Sequence, residues 1–115
     1  AEHMRRLQAG SRRNVAEAFE AGVPVYAGTD AGGVLAHGLL GHEVVRLAEA
    51  GLSAESAVAA GSWEARRFLL GDPPSGDFFA AGTSADLVVL ADDPRRSPRT
   101  LTDPLVVVLR GRVVG

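Results

Sequence analysis

The chain of 115 residues contains no cysteine and no lysine. Without cysteine it can form no disulfide, offer no thiolate nucleophile, and bind no zinc or iron–sulfur cluster through sulfur. Without lysine, all 12 cationic side chains are arginine. Any chemistry that needs a Schiff-base or carbamoylated lysine must therefore draw it from another polypeptide segment. Arginine in place of lysine, beside abundant alanine, glycine and valine, fits a GC-rich genome. No apolar run approaches the ~18 residues that cross a bilayer. Residues Ala1 to Arg6 lack the apolar core of a signal peptide, so a cytoplasmic location is the expectation. The net charge of −2 gives no electrostatic footing for nucleic acid or an anionic membrane surface, and neither is expected as a partner.

What is present reads as globular. Hydrophobic residues make up 46% and charged residues 23%, enough for one domain with a core and too short a chain for two ordinary ones. Ala1 stands where a methionine is usual, and Met4 follows His3. That start reads either as a cloning junction or as numbering that begins inside a longer polypeptide.

Periodicity predicts a helix from about His3 to Ala21, with Met4, Leu7, Val15, Ala18 and Phe19 on one face and Gly22 as its stop. Val23 to Ala27 is short, β-rich and apolar on consecutive positions, as a strand buried on both faces would be. Gly28 to Gly38 reads as loop. A second helix is expected from about Leu39 to Ala50, stopped by Gly51, and a third from the N-cap Ser53 to about Leu70. Gly71 to Gly76 is a cluster of helix and strand breakers. Strands are expected at Asp86 to Ala91, Leu105 to Leu109 and Arg112 to Val114. Arg110-Gly111 suits a two-residue hairpin loop, and Arg95 to Asp103 forms a polar connection. A lone parallel strand among helices has no neighbour to hydrogen-bond, so the order of elements predicts the end of a larger α/β fold.

Several motifs fail on inspection. His42-Glu43-Val44-Val45-Arg46 begins like the zinc-protease helix, but Arg46 stands where the second histidine is required. Gly28-Thr29-Asp30-Ala31-Gly32-Gly33 has the glycines of a phosphate loop, but Val34-Leu35 replaces Lys-Ser/Thr. His37 and His42 are five apart, which does not align two ligands on one helix face, and His42 suits a surface or helix-end role. The pairs Arg5-Arg6, Arg12-Arg13, Arg66-Arg67 and Arg95-Arg96 read as solvated faces. Asp30 differs by position. At the C-terminal end of a parallel strand a side chain projects into the crevice where α/β proteins place their chemistry, and Gly28, Gly32 and Gly33 leave room for a ligand. The residues alone leave two roles open for Asp30: a reactive group, or a turn residue bonded to its own backbone.

The stretches "AGVPVYAGTDAGG", "HGLLGHEVVRLAEAGLSAESAVAAGSWEARRFL", "GTSADLVVLADDP" and "VVVLRGRVV", in this order and covering nearly the whole chain, resemble the amidohydrolase superfamily. The likeness is closest to the branch of imidazolonepropionase-like hydrolases and metal-dependent prolidases. The pairing of G-T-D-A-G with A-D-L-V-V-L about 55 residues later is its most specific element; either piece alone is weak. The resemblance implies an α/β fold. Residues 1–70 would be the end of a (β/α)8 TIM barrel, with Val23 to Ala27 as its eighth strand. Residues 71–115 would be the C-terminal share of a small composite β-sandwich.

The resemblance further implies that Asp30 binds a divalent metal, zinc as one or two ions, and shuttles a proton from activated water. His37 falls where family members often carry a substrate-pocket histidine. Glu64 and Arg66 depart from the Asn and Ala more usual at their positions. The family's H-x-H pair on strand one, its strand-four lysine or glutamate, and its histidines on strands five and six have no counterpart here. The expectation is therefore the C-terminal segment of a hydrolase that cleaves an amide, cyclic amide or peptide-like C–N bond of a small molecule, inactive alone. The missing N-terminal barrel portion or another copy of the chain would complete it, and the whole would be a homo-oligomer. A deaminase of the same superfamily, or a non-catalytic truncated domain acting through oligomerisation or partner binding, are the alternatives.

Overall fold

The computed structural model describes residues 1–115. Helix α1 spans Glu2–Glu20. Its exposed side carries the i,i+4 ion pairs Glu2–Arg6 and Arg13–Glu17, each worth a few tenths of a kcal/mol. The helix ends at Ala21-Gly22, where Gly22 takes φ 88°, a left-handed turn that costs glycine nothing.

Val23 to Ala27 is extended but pairs with no strand. It is pinned at its two ends, where Val23 N–H donates to Ala18 O at 3.0 Å and Ala27 N–H to Ala60 O at 2.9 Å. Val25, Ala27 and Thr29 are half-buried, whereas Pro24, Tyr26, Gly28 and Asp30 are exposed. The segment thus alternates with the period of a strand. One face, through Ala27, packs on the helical core; the other is open, where the apolar run predicts cover on both.

Helix α2, Leu40–Ala50, buries Val44 and Val45. The single third helix expected from Ser53 to Leu70 is in fact two, α3 at Ala54–Ala60 and α4 at Trp63–Leu70. Ser53 caps α3 by accepting the Ser56 N–H at 3.1 Å. The break has a local cause. Ser62 Oγ donates to Val58 O at 2.6 Å, a side-chain bond that competes with the helix. Gly61 lies so close to α2 that a Cβ there would meet Val44 Cγ2 at 2.7 Å.

Val44, Leu52, Ala57 and Val58 form the core, with Val15, Leu47, Trp63 and Leu101 packed around them. Leu101 belongs to a 3₁₀ turn, Pro98–Thr102, inside the connection expected to be merely polar. Gly41 is the contact point: a Cβ there would collide with the Leu101 carbonyl. Alanine is the better helix former by about 1 kcal/mol, but a clash with backbone has no side chain to swing aside and costs about 1–3 kcal/mol. In the longer protein, Gly41→Ala is therefore expected to lower the thermal midpoint. A raised midpoint would mean that helix propensity wins.

The sheet is antiparallel, in the order β1 (Leu87–Val89), β2 (Val106–Leu109), β3 (Arg112–Val113). Val88 faces Val107 and Val108 faces Val113. All three strands are shorter than the apolar runs that predict them. Arg110 and Gly111 take φ 51° and 77°, the two positive values of the tight hairpin turn expected there.

Seven residues are buried. The accessible surface is 8248 Å², against about 6,000 Å² for a compact monomer of this mass. No helix is long and apolar enough to cross a membrane.

Candidate active site

Asp30 lies three residues beyond the extended segment and takes φ 51°, a conformation that aspartate and asparagine tolerate better than most residues. Gly28, Gly32 and Gly33 flank it, and a Cβ at any of the three would meet nothing within 4 Å. Three other loop aspartates show what a structural carboxylate does in this chain, whereas Asp92 and Asp103, like Asp30, enter no side-chain hydrogen bond or ion pair. Asp77 accepts the Phe79 N–H at 2.8 Å, Asp93 the Arg95 N–H at 2.9 Å and Asp86 the Arg110 N–H at 2.8 Å. Asp30 enters none of the chain's side-chain hydrogen bonds or ion pairs. Its carboxylate is exposed and uncommitted.

Beyond Asp30 the chain makes a small hairpin, closed by a bridge between Gly32 and Leu35 with Gly32 N–H donating to Leu35 O at 3.1 Å. Val34 at its tip is 100% exposed. His37 lies on the returning arm, exposed, so Asp30 and His37 flank one short loop. His42 is exposed in the first turn of α2. No group of three His, Asp or Glu side chains converges in this chain.

A second polar cluster was not expected. Arg66 and Arg67, read from sequence as a solvated face, are half-buried. Arg66 pairs with Asp86 at 3.0 Å, and Arg67 with Glu64 at 2.6 Å and Asp72 at 2.8 Å. Both guanidinium groups lie over the Phe78 ring, at 6.0 Å and 5.4 Å from its centroid. The Arg110 N–H, then the Ser84 hydroxyl and Arg66, hold the Asp86 carboxyl below its ordinary value. The sequence did contain a signal, an arginine pair shortly before the aromatic pair Phe78-Phe79. Nothing in its spacing tells which arginine reaches which carboxylate.

The Asp93 carboxyl is drawn from 3.8 to about 2, chiefly by the Arg95 side chain and then by the Arg95 N–H. Arg95 grips it through Nε at 3.1 Å and Nη2 at 2.8 Å. Since the folded value lies below the unfolded one, the stability this contact contributes is complete above about pH 4 and is lost as pH falls toward 2. A carboxyl NMR titration should place the Asp93 midpoint near 2, and Arg95→Ala should return it toward 3.8. An unmoved midpoint would remove Arg95 as the cause.

No family model matches the chain. Over all 115 residues it is 49% identical to uncharacterized proteins of Mycobacterium bovis and Mycobacterium tuberculosis, and it spans 30% of the length of each. No solved structure matches it.

Proposed function

We propose that the chain is the C-terminal part of a metal-dependent amidohydrolase that hydrolyses a C–N bond, with Asp30 as metal ligand and proton-transfer carboxylate. One observation carries the reading: Asp30 is exposed three residues beyond the extended segment, in the left-handed region, and caps no backbone group, while Asp77, Asp86 and Asp93 all do. The hydrogen-bonded turn role that competes for this residue is one that Asp30 does not fill.

The carboxylate fits one position of a zinc site. Aspartate oxygen is an accepted zinc donor, and no intramolecular bond competes for it. The other ligands belong to polypeptide outside these 115 residues, which the greater length of the relatives makes room for. When bound, such an ion supplies acidification of water toward a pKa of about 7. Asp30 takes the proton of the attacking water and passes it to the leaving nitrogen. Gly28, Gly32 and Gly33 keep the approach clear, and His37 contacts the substrate across the loop. The reading brings with it a small-molecule substrate, a cytoplasmic setting and assembly as a homo-oligomer.

The test uses the longer protein, purified with zinc and offered N-acyl amino acids, cyclic amides and Xaa-Pro dipeptides. One or two zinc ions per chain are expected, with hydrolysis of at least one class that chelation abolishes and zinc restores. A metal-free protein that hydrolyses none of them overturns the reading. In the same protein His37→Ala should keep the zinc content and raise KM about tenfold, the worth of one hydrogen bond of ~1.4 kcal/mol. Loss of one zinc equivalent would make His37 a ligand instead.

A further inference from the structure

The small hairpin beyond Asp30 carries at its tip a side chain that its turn does not call for. The bridge between Gly32 and Leu35 leaves Gly33 and Val34 as the two residues of a tight turn. Gly33 takes φ 64°, the positive value that such a turn gives to glycine at its first position. The second position is ordinarily filled by glycine or a small polar residue. Here it holds Val34, whose exposure of 100% exceeds that of every other large apolar side chain. Leu35 follows, half exposed. A valine standing wholly in water gains nothing from this chain's own packing, and burying it against a ligand is favourable.

The rest of the loop has the same character. From Ala31 to Ala36 no side chain carries a charge or a hydrogen-bonding group. Polar chemistry stands only at the two ends, in Asp30 and His37. Gly32, and Leu35 opposite it, begin the apolar tip roughly 7 Å along the chain from Asp30, at ~3.3 Å per extended residue. An unbranched acyl group of about six carbons covers that reach at ~1.5 Å per bond. An acetyl group does not. A charged group brought to the tip would lose water and meet no partner from this loop.

We infer that Val34 and Leu35 form an apolar wall for the acyl side of the scissile bond, and that the substrate's acyl group is uncharged and of medium length. The inference rests on the proposed hydrolysis at Asp30 and adds to it the class of substrate.

The test uses the longer protein purified with zinc, and reads binding in place of turnover. The probes are hexanohydroxamate, acetohydroxamate and adipic acid monohydroxamate, which share a zinc-binding group and differ in the acyl chain. By calorimetry, hexanohydroxamate is expected to bind at least tenfold tighter than either of the others, since each methylene moved out of water strengthens binding severalfold. Val34→Asp is expected to cut that preference at least fivefold with zinc content unchanged, and Val34→Ile to keep it. Equal affinity for hexano- and acetohydroxamate would overturn the inference and leave the hydrolase reading standing. A preference that Val34→Asp leaves intact would do the same, and a smaller sedimentation coefficient of that variant would then give the tip to a contact between copies. A protein that holds no zinc and binds none of the three overturns both.

Discussion

Asp30→Asn in the longer protein is expected to lower turnover by about 10²–10⁴-fold, the usual worth of a positioned proton-transfer group, with little change in the melting curve. The two halves of that expectation have separate causes. An amide nitrogen cannot take the proton of the attacking water, so the chemistry fails. The fold is spared because the carboxylate is exposed and holds no backbone group, and because asparagine accepts φ 51° as readily as aspartate does. Turnover within a few-fold of the parent would return Asp30 to the status of a turn residue. Asp30→Ala is the poorer test, since alanine adds the strain of a positive φ to the loss of the carboxylate.

The second large effect concerns the 115 residues by themselves, which are expected to associate or to melt without cooperativity. Their accessible surface of 8248 Å² exceeds by roughly 2,300 Å² what a compact monomer of this mass shows. An excess of that size matches one partner's share of a large obligate interface. The radius of gyration, 15.4 Å, is likewise larger than the roughly 13 Å of a compact domain this long. The uncovered surface is apolar in places: Phe68 is 69% exposed, Leu69 74% and Phe79 84%. Leaving such side chains in water forfeits roughly 1.5–3 kcal/mol each, and a few of them equal a domain's whole net stability of about 5–15 kcal/mol. The outer strands β1 and β3 add unpaired edges. Sedimentation as a single monomer with a sharp melt would show that the small core suffices.

Much of the helical part was legible in the residues. The bounds of α1 and α2 fall within a residue of the periodic pattern, because Gly22 and Gly51 stop the helices where no other residue turns left-handed so cheaply. The break between α3 and α4 was not legible. The apolar pattern runs on through Ala57 to Ala65, and what interrupts it is a tertiary contact, Gly61 against Val44, together with the Ser62 hydroxyl on Val58. The extended character of Val23 to Ala27 was readable, but its one covered face was not, since cover is decided by which other chain lies beside it. Asp30 was legible as a position and not as a state. Aspartates 30, 77, 86, 92, 93 and 103 all sit in loops or at strand starts, and only the geometry separates the three that cap backbone from the three that do not. The arginine pair misled for a similar reason: charge marks a side chain as polar without saying that Phe78 and Asp86 are waiting for it.

Asp86 has a mechanical consequence. One carboxylate oxygen holds the Arg110 N–H at the hairpin tip and the other holds Arg66 on α4. A single side chain therefore acts as a rivet through two plates. Sliding the sheet along the helix must strain both contacts at once, so a displacement of the hairpin is transmitted to the helix instead of being absorbed by the glycine- and proline-rich stretch between them. Residues 71–85 touch the same helix through side chains alone, the Arg67–Asp72 ion pair and the two arginines over Phe78. Lengthening the turn between Pro73 and Gly76, which holds neither Asp72 nor Phe78, should lower the melting midpoint of the longer protein less than Asp86→Ala does.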